Sequence, residues 1–274
     1  MPAPTPIGLF RGEDALVTGS ASISVEPSRS PWRGKARPVR CVDVDADRNG
    51  SVVAEIRQAG GRAEAVTARS QQRARLARRP SPEPSPCAMF VHSASPARKE
   101  ADGALAISEE TFDQMLNTNV RSGFLLAREL GRRMRAAAIK GRMLFITSLH
   151  AETPRNIPPL LRRQKAAQTM LVKELARALG PAGIRVNALA PGAVPGGGFN
   201  AAAFDFAGKI PLGRLGRADD MADMALALSR TVLPAARNGD NGGGGRTASR
   251  CTTGFRCRRP SPGSRARRAF GFLS

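Results

Sequence analysis

Short apolar runs that each end at a turn, separated by stretches with a helical period, confine this chain to an α/β architecture. Asp14-Ala-Leu-Val-Thr-Gly19 suits a buried strand that opens into a tight turn. Val39-Arg-Cys-Val-Asp43 is a second such run, closed by an acid. Met89-Phe90-Val91, Met143 to Thr147 and Ile184 to Leu189 are three more. The spacing predicts a helix from Asn49 to Ala59, with Val52, Val53 and Ile56 on one face and Gly60-Gly61 as its stop. Ser108 followed by Glu109 and Glu110 marks another helix start, after which Phe112, Met115, Leu116 and Val120 recur at helical spacing. Lys165 to Leu179 is a third patterned helix, closed by Gly180-Pro181. Strands alternating with helices predict a doubly wound parallel sheet covered on both faces.

The chain of 274 residues, 41% hydrophobic, is long enough for one large α/β domain or two small ones. It has no run of about 18 or more apolar residues, so no membrane span is implied. The first residues lack the apolar stretch of a secretory signal, and a cytoplasmic location is expected. Cys41, Cys87, Cys251 and Cys257 follow neither a zinc-ligand spacing nor a disulfide framework, so free thiols and no metal are expected. A net charge of +21 would ordinarily suggest nucleic acid as a partner. The charge is nevertheless confined to patches: +5 over residues 27–40, +4 over 69–85, +2 at Arg162 and Arg163, and +9 over 230–274. These patches are mixtures of arginine, proline, serine and glycine with a lone Trp32, without the interleaved aromatics of a nucleic-acid binder. Outside them the chain is close to neutral, as an ordinary enzyme would be.

Several blocks, taken in order, carry a resemblance. They are Thr18-Gly19 after the first strand, Asp43 ending the second, and the segment NTNVRSGFLLAREL around Asn119. They continue with ITS ending at Ser148, KAAQTMLVKELARALGPAGIRVNALAPGAV from Lys165 to Val194, and IPLGRLGRADDMADMAL from Ile210. Over roughly residues 7–230 the chain resembles a classical short-chain dehydrogenase/reductase. The resemblance implies a single Rossmann-type domain over 1–230 and hydride transfer between NAD(P) and a secondary alcohol or ketone. It implies that Lys165 binds the nicotinamide ribose and lowers the pKa of a catalytic tyrosine. Ser148 would hydrogen-bond the substrate oxygen, and Asn119 would order a water in a proton relay. Asp43 would accept from the ribose 2′-hydroxyl, favouring NAD over NADP. Pro191, Gly192 and Val194 would seat the nicotinamide amide. Thr18 and Gly19 would line the dinucleotide, and His92 and Ala94 lie in HSAS, where the family has a turn under the adenine. His150 is expected to be an exposed loop residue. Family members commonly assemble through the helices after Asn119 and Lys165, and the apolar Met170, Leu171, Leu175 and Leu179 would permit a homo-oligomer here.

Three departures accompany the resemblance. Leu161 stands four residues before Lys165, where the family has its acid/base tyrosine, and the chain contains no tyrosine at all. The turn TGSASISVEP lacks the later glycines, and residues 20–38 show no helical period for the helix that should follow the first strand. The end of the chain lacks the expected last strand, so both the first helix and the final strand read as degraded. Residues of about 23–40 and 69–86 read as irregular basic inserts, and 231–274 as a disordered basic tail.

Reading-frame slips in a GC-rich gene account for all three. With suitable synonymous codons, Ile23 to Gly34 read from the third nucleotide becomes Leu-Gly-Arg-Ala-Ile-Ala-Val-Ala-Leu-Ala-Arg, a glycine and a helix. Pro159 to Gln164 read from the second nucleotide, with the first adenine of Lys165, becomes Arg-Tyr-Ser-Ala-Ala-Lys. Arg237 to Arg246 shifted by one becomes Ala-Thr-Gly-Thr-Thr-Val-Ala-Val-Asp-Gly. The expectation is an impaired or inactive member of this lineage, with a non-catalytic pseudo-dehydrogenase or a basic binding protein as the alternative. The loop PGGGFNAAAFDF after Gly192 should cover a small-molecule substrate but selects none.

Overall fold

The computed structural model describes residues 14–22, 39–68, 87–96, 106–151, 159–194, 210 and 212–229, with backbone alone at 22, 150, 159–162 and 226. The predicted irregular stretches apart from Val39 and Arg40, the tail and the missing last strand lie outside the described residues.

Six parallel strands form one sheet in the order β3-β2-β1-β4-β5-β6. They are β1 Ala15–Thr18, β2 Val39–Asp43, β3 Ala63–Thr67, β4 Met89–His92, β5 Arg142–Ile146 and β6 Arg185–Leu189. The central strands are buried along their whole length, which is why they read as continuous apolar runs rather than alternating ones. The reversal of direction lies between β1 and β4, whose register pairs Thr18 with His92.

Helices cover both faces. On one side α1 (Ala46–Gln58) places Val53 and Ile56 against Val17, Cys41 and Val91. On the other, α2 (Glu109–Leu116) runs through a π-turn at Asn117–Arg121 into α3 (Ser122–Ala136). There Leu126 and Leu130 of α3, with Leu171, Val172 and Leu175 of α4 (Pro159–Leu179), close over Phe90 and Phe145. A last helix, α5 (Ala218–Ser229), returns to the α1 side, where Leu228 joins the core. Arg185 and Asn187 donate to the carbonyls of Leu228 and Ser229, satisfying acceptors that the helix end leaves open.

Local chemistry explains most boundaries. Asp45 caps α1 by accepting from Arg48 N at 3.0 Å, so the helix starts three residues before the predicted Asn49. Gly60, at φ +81°, ends it. Ser108 caps α2 as predicted, accepting from Thr111 N at 3.2 Å. Helix α4 begins at Pro159, six residues before the predicted start, because proline suits a first helical turn. The edge strand β3 was not anticipated, since Ala-Glu-Ala-Val-Thr has no apolar run and buries only Ala63. Val39 and Arg40 belong to β2, so the basic patch runs into the sheet itself, and Arg40 is buried.

One expectation is corrected. Met170, Leu171, Leu175 and Leu179 do not form a common outer face. Leu171 and Leu175 pack into the sheet core, Leu179 packs against it, and Met170 alone points outward at 55% exposure. The helical repeat buries its 3-4 spaced leucines first, because the sheet is the larger apolar surface.

Candidate active site

The predicted site residues gather at the carboxyl ends of the strands, the edge where an open α/β sheet binds ligands. Thr18 and Gly19 end β1. Gly19 adopts φ +73°, and a Cβ there would lie 2.5 Å from Ala94 N, so only glycine allows β1 and the turn after β4 to approach this closely. That contact is what brings Ala94, itself buried, under the β1 turn. The chain then makes one tight helical turn, Ser20–Ser22, before the described residues break off. Ser20 is turned into the protein, donating from Oγ to Asn49 Oδ1 at 2.8 Å. Asn49 is fully buried and donates in turn to Cys41 O at 2.9 Å. Sequence reading missed this residue, whose only signal was a polar side chain on the buried face of α1.

Asp43 ends β2, and its carboxylate is engaged from three sides. Ala21 N donates to Oδ2 at 3.0 Å, while Val44 N and Asp45 N donate to Oδ1 at 2.7 and 3.1 Å. The acid therefore fastens the β1 turn to the end of β2. Oδ2 keeps one lone pair for a further donor.

His92 ends β4 and is completely buried. Its Nε2 donates to Asn119 O at 3.0 Å, and a carbonyl can only accept, so the proton sits on Nε2. Nδ1 then accepts from Thr18 Oγ1 at 2.8 Å. The ring packs against both Phe90 and Phe145, and Gly123 leaves it room, since a Cβ there would come within 2.8 Å. His92 thus joins the β1 turn to Asn119 through its side chain.

Asn119 lies in the π-turn, the place where α2 and α3 would otherwise be one regular helix; such turns recur at functional sites. Its Nδ2 donates to Met115 O at 3.1 Å and Gln164 Oε1 at 2.6 Å. Its carbonyl also accepts from Gln168 Nε2 at 2.6 Å. Gln164 and Gln168 flank Lys165 on α4 and were not anticipated as site residues.

Lys165 is 5% exposed and donates from Nζ to Ile146 O at 2.7 Å, at the end of β5. Ser148 follows two residues later. The Leu149 N to Pro191 O bond, 3.1 Å, ties this segment to the turn of Pro191, Gly192 and Val194, all half-buried. Leu161 falls on α4 one turn before Lys165. His150 lies in a one-turn helix at Leu149–Ala151, and its expected exposure falls outside the described side chains. Contacts therefore join Thr18, Gly19, Ala94, His92 and Asn119 directly, with Asp43 attached through Ala21. Lys165 and Ser148 both lie at the β5 end, Lys165 through its bond to Ile146 O.

Burial pushes the Cys41 thiol up to about 12 and the Cys87 thiol up to about 11, which leaves neither a nucleophile. Both are free. Among the described residues no group of three His, Cys, Asp or Glu could hold a metal, and no helix is long and apolar enough to cross a membrane.

Strand order, the glycine turn and an acid at the end of β2 define a doubly wound parallel α/β fold of the Rossmann type. A family model described as enoyl-(acyl carrier protein) reductase matches residues 39–233. The chain belongs to the classical short-chain dehydrogenase/reductase family. It is similar to the uncharacterized oxidoreductase YmfI of Bacillus subtilis, at 36% identity over 126 residues, 44% of this chain and 52% of that protein. It is also similar to a 2-dehydro-3-deoxy-D-gluconate 5-dehydrogenase of Pseudoalteromonas atlantica, at 31% over 127 residues, 44% of this chain and 50% of that protein. The chain thus spans about half the length of the curated relatives it matches. Among solved structures, a 3-oxoacyl-[acyl-carrier protein] reductase with bound NAD from Brucella melitensis shares the fold, with TM-score 0.73, 22% identity, and 84% of this chain and 90% of that one covered. A short-chain dehydrogenase/reductase from Serratia marcescens does so with TM-score 0.73, 24% identity, and coverage of 90% and 98%.

Proposed function

We propose that this chain has kept the scaffold for hydride transfer between a nicotinamide dinucleotide and a small secondary alcohol or ketone, and has lost the group that moves the proton. The observation that carries the reading is Leu161, one helical turn before the buried Lys165 in a chain without tyrosine. Leucine neither donates nor accepts a proton, and losing general acid/base catalysis costs on the order of a hundredfold to ten-thousandfold in rate.

The remaining roles follow from chemistry and position. Ser148 donates to the substrate oxygen and holds developing alkoxide charge. Lys165 holds the nicotinamide ribose, and Asn119 belongs to the proton path. Asp43 accepts from a ribose hydroxyl through the free lone pair of Oδ2, and a 2′-phosphate there would meet its charge, which favours NAD over NADP. Thr18, Gly19, His92 and Ala94 floor the dinucleotide, and Pro191, Gly192 and Val194 seat the carboxamide. Bound nicotinamide supplies the hydride acceptor. Neither Gly19 nor Ser20 supports this fit: Ala94 backbone fills the place of a Gly19 Cβ and the Gly19 N–H donates to Val42 O at 2.9 Å, while Ser20 faces inward, and the described residues add no helix N-terminus at the pyrophosphate. Binding is therefore weak. The same reading takes residues 1–230 as the domain and 231–274 as a tail, with frame slips at the patch edges of the gene, a cytoplasmic location and a homo-oligomer.

A second reading, a non-catalytic pseudo-dehydrogenase, draws on Asp43, whose carboxylate already serves three backbone donors. The two separate in one variant. Leu161→Tyr introduces a single phenol whose ionisation is read by ultraviolet absorbance without background. Beside Lys165 its midpoint falls below the usual value of about 10. A midpoint at or above that value removes Lys165 from the catalytic set. Codons that give no family-like peptide in either shifted frame would remove the frame slips.

A further inference from the structure

The turn Pro191–Val194 is tethered on two sides. From the β5 side Leu149 N donates to Pro191 O at 3.1 Å, and from the α5 side Gly216 N donates to Ala193 O at 2.9 Å. Gly192 lies between the two held carbonyls. Gly216 is buried, although Leu212, Gly213, Arg214 and Arg217 around it are exposed. An exposed segment is therefore held so that its one buried N–H reaches Ala193.

The holder is Asp220, the third residue of α5. Its Oδ2 accepts from Arg217 N at 2.9 Å, the bond by which an acid in the first turn closes a helix start. The same carboxylate takes both ends of the Arg214 guanidinium, Nη1 to Oδ2 at 2.8 Å and Nη2 to Oδ1 at 3.2 Å. Arg214 Nη1 also donates to Leu215 O at 3.0 Å. Residues 214–217 are thus bent around one carboxylate. Gly213, at φ +64° and bonded through its N–H to Ile210 O at 2.8 Å, turns the chain into that bend.

Helix capping accounts for the Arg217 bond but not for the fork to Arg214. An exposed ion pair adds little to stability, whereas a two-point contact between arginine and carboxylate fixes direction. The hydrogen bonds from Arg214 hold the Asp220 carboxyl below the usual carboxylate range, so the pair is charged at neutral pH.

We propose that Asp220 and Arg214 are positioning residues for the Pro191–Val194 turn, acting through the Gly216 N–H on the Ala193 carbonyl. Neither bonds to the turn directly. Only one end of a bound dinucleotide would feel this clasp, because Gly19 and Asp43 lie at the ends of β1 and β2 and are fixed by other bonds. That last step rests on the functional reading, which gives the turn to the carboxamide; the clasp itself does not.

The test is amide hydrogen exchange on the full chain, read by nuclear magnetic resonance. Arg214→Met keeps the helix start and removes the fork, so exchange at Gly216 should quicken about threefold, as expected for an exposed ion pair. Asp220→Ala removes the Arg217 bond as well and should quicken it about tenfold. Amides of β5 and β6 should keep their rates in both variants, which a general loss of stability would not allow. Asp223→Asn, which takes a charge from the exposed side of the same helix, should change nothing. An unchanged Gly216 rate in Arg214→Met overturns the proposal, as does an equal rise in Asp223→Asn. If Asp220→Ala fails to fold, Arg214→Met decides alone. With NAD as the probe, saturation-transfer spectra suit weak binding and read the two ends of the molecule separately. The nicotinamide signals should fall relative to the adenine signals in Arg214→Met and stay in proportion in Asp223→Asn. A proportional fall at both ends in Arg214→Met overturns the positioning role. No transfer to either end in the unaltered chain would count against the functional reading, and the exchange rates would still decide the clasp.

Discussion

The two halves of the sheet have fared differently. From β4 to β6 each crossover carries a complete described helix, and side chains from β4 and α4, with a carbonyl from α2, converge on the fully buried Asn119. From β1 to β2 the described crossover amounts to one tight turn, held to its neighbours by Ser20, Asn49 and Asp43. The first half keeps its scaffold and lacks one reacting side chain. The second keeps its strands, but its polar groups are spent on holding the turn shut. A strand survives poor neighbours because its partners are fixed by the sheet ladder, whereas a phosphate-binding turn needs a helix that the local sequence must itself supply.

The largest effect should come from repairing both halves at once. Leu161→Tyr alone should leave NAD-linked alcohol oxidation poor. Combined with a helix-forming replacement of residues 23–38, it should raise the rate by about a hundredfold or more. Full recovery from Leu161→Tyr alone would show that the nucleotide half was never limiting.

A smaller effect, on stability, should follow from Gly19→Ala. The added Cβ meets the Ala94 backbone and the φ of +73° is strained for alanine, so denaturant unfolding should show a loss of about 3 kcal/mol. A loss under about 0.5 kcal/mol, the usual range of a neutral surface change, would show that the contact between β1 and the β4 turn is not real.

The smallest effect at neutral pH concerns the thiols, one on each face of the sheet. Cys41 and Cys87 ionise in the folded chain at about 12 and about 11, above the ordinary value near 9. The neutral thiols are compatible with the core and the thiolates are not. Their contribution is fully present below the unfolded pKa and is lost as pH rises from there through the folded values. Unfolding should therefore become easier above about pH 9, and a thiol reagent should reach both cysteines only as the chain opens. Rapid labelling of Cys41 at neutral pH with the fold intact would mean that the nucleotide half is looser than its strands suggest.

Local signals carried most of the architecture. The apolar runs located five of the six strands, and Ser108, Gly60 and Gly180 marked helix ends, because caps and periodicity act between residues a few positions apart. The edge strand β3 was illegible, since a largely exposed edge strand has no apolar run. The site was legible as positions: Asn119, Ser148, Lys165 and Leu161 lie at spacings that survive in one dimension. Its wiring was not. His92 bridging Thr18 to Asn119, Asn49 holding Ser20, and the two glutamines around Asn119 join residues 27 to 74 positions apart.

By itself, then, the sequence determined the class of fold, the family and the absence of a proton-transfer group at position 161. Tertiary structure alone decided that Asp43 faces inward, that Leu171 and Leu175 serve the core, and that Asn119 is bound on every atom but one. The physical reason is that composition and periodicity record what each residue prefers. Which partner satisfies a buried hydrogen-bonding group is settled only when distant segments close around it.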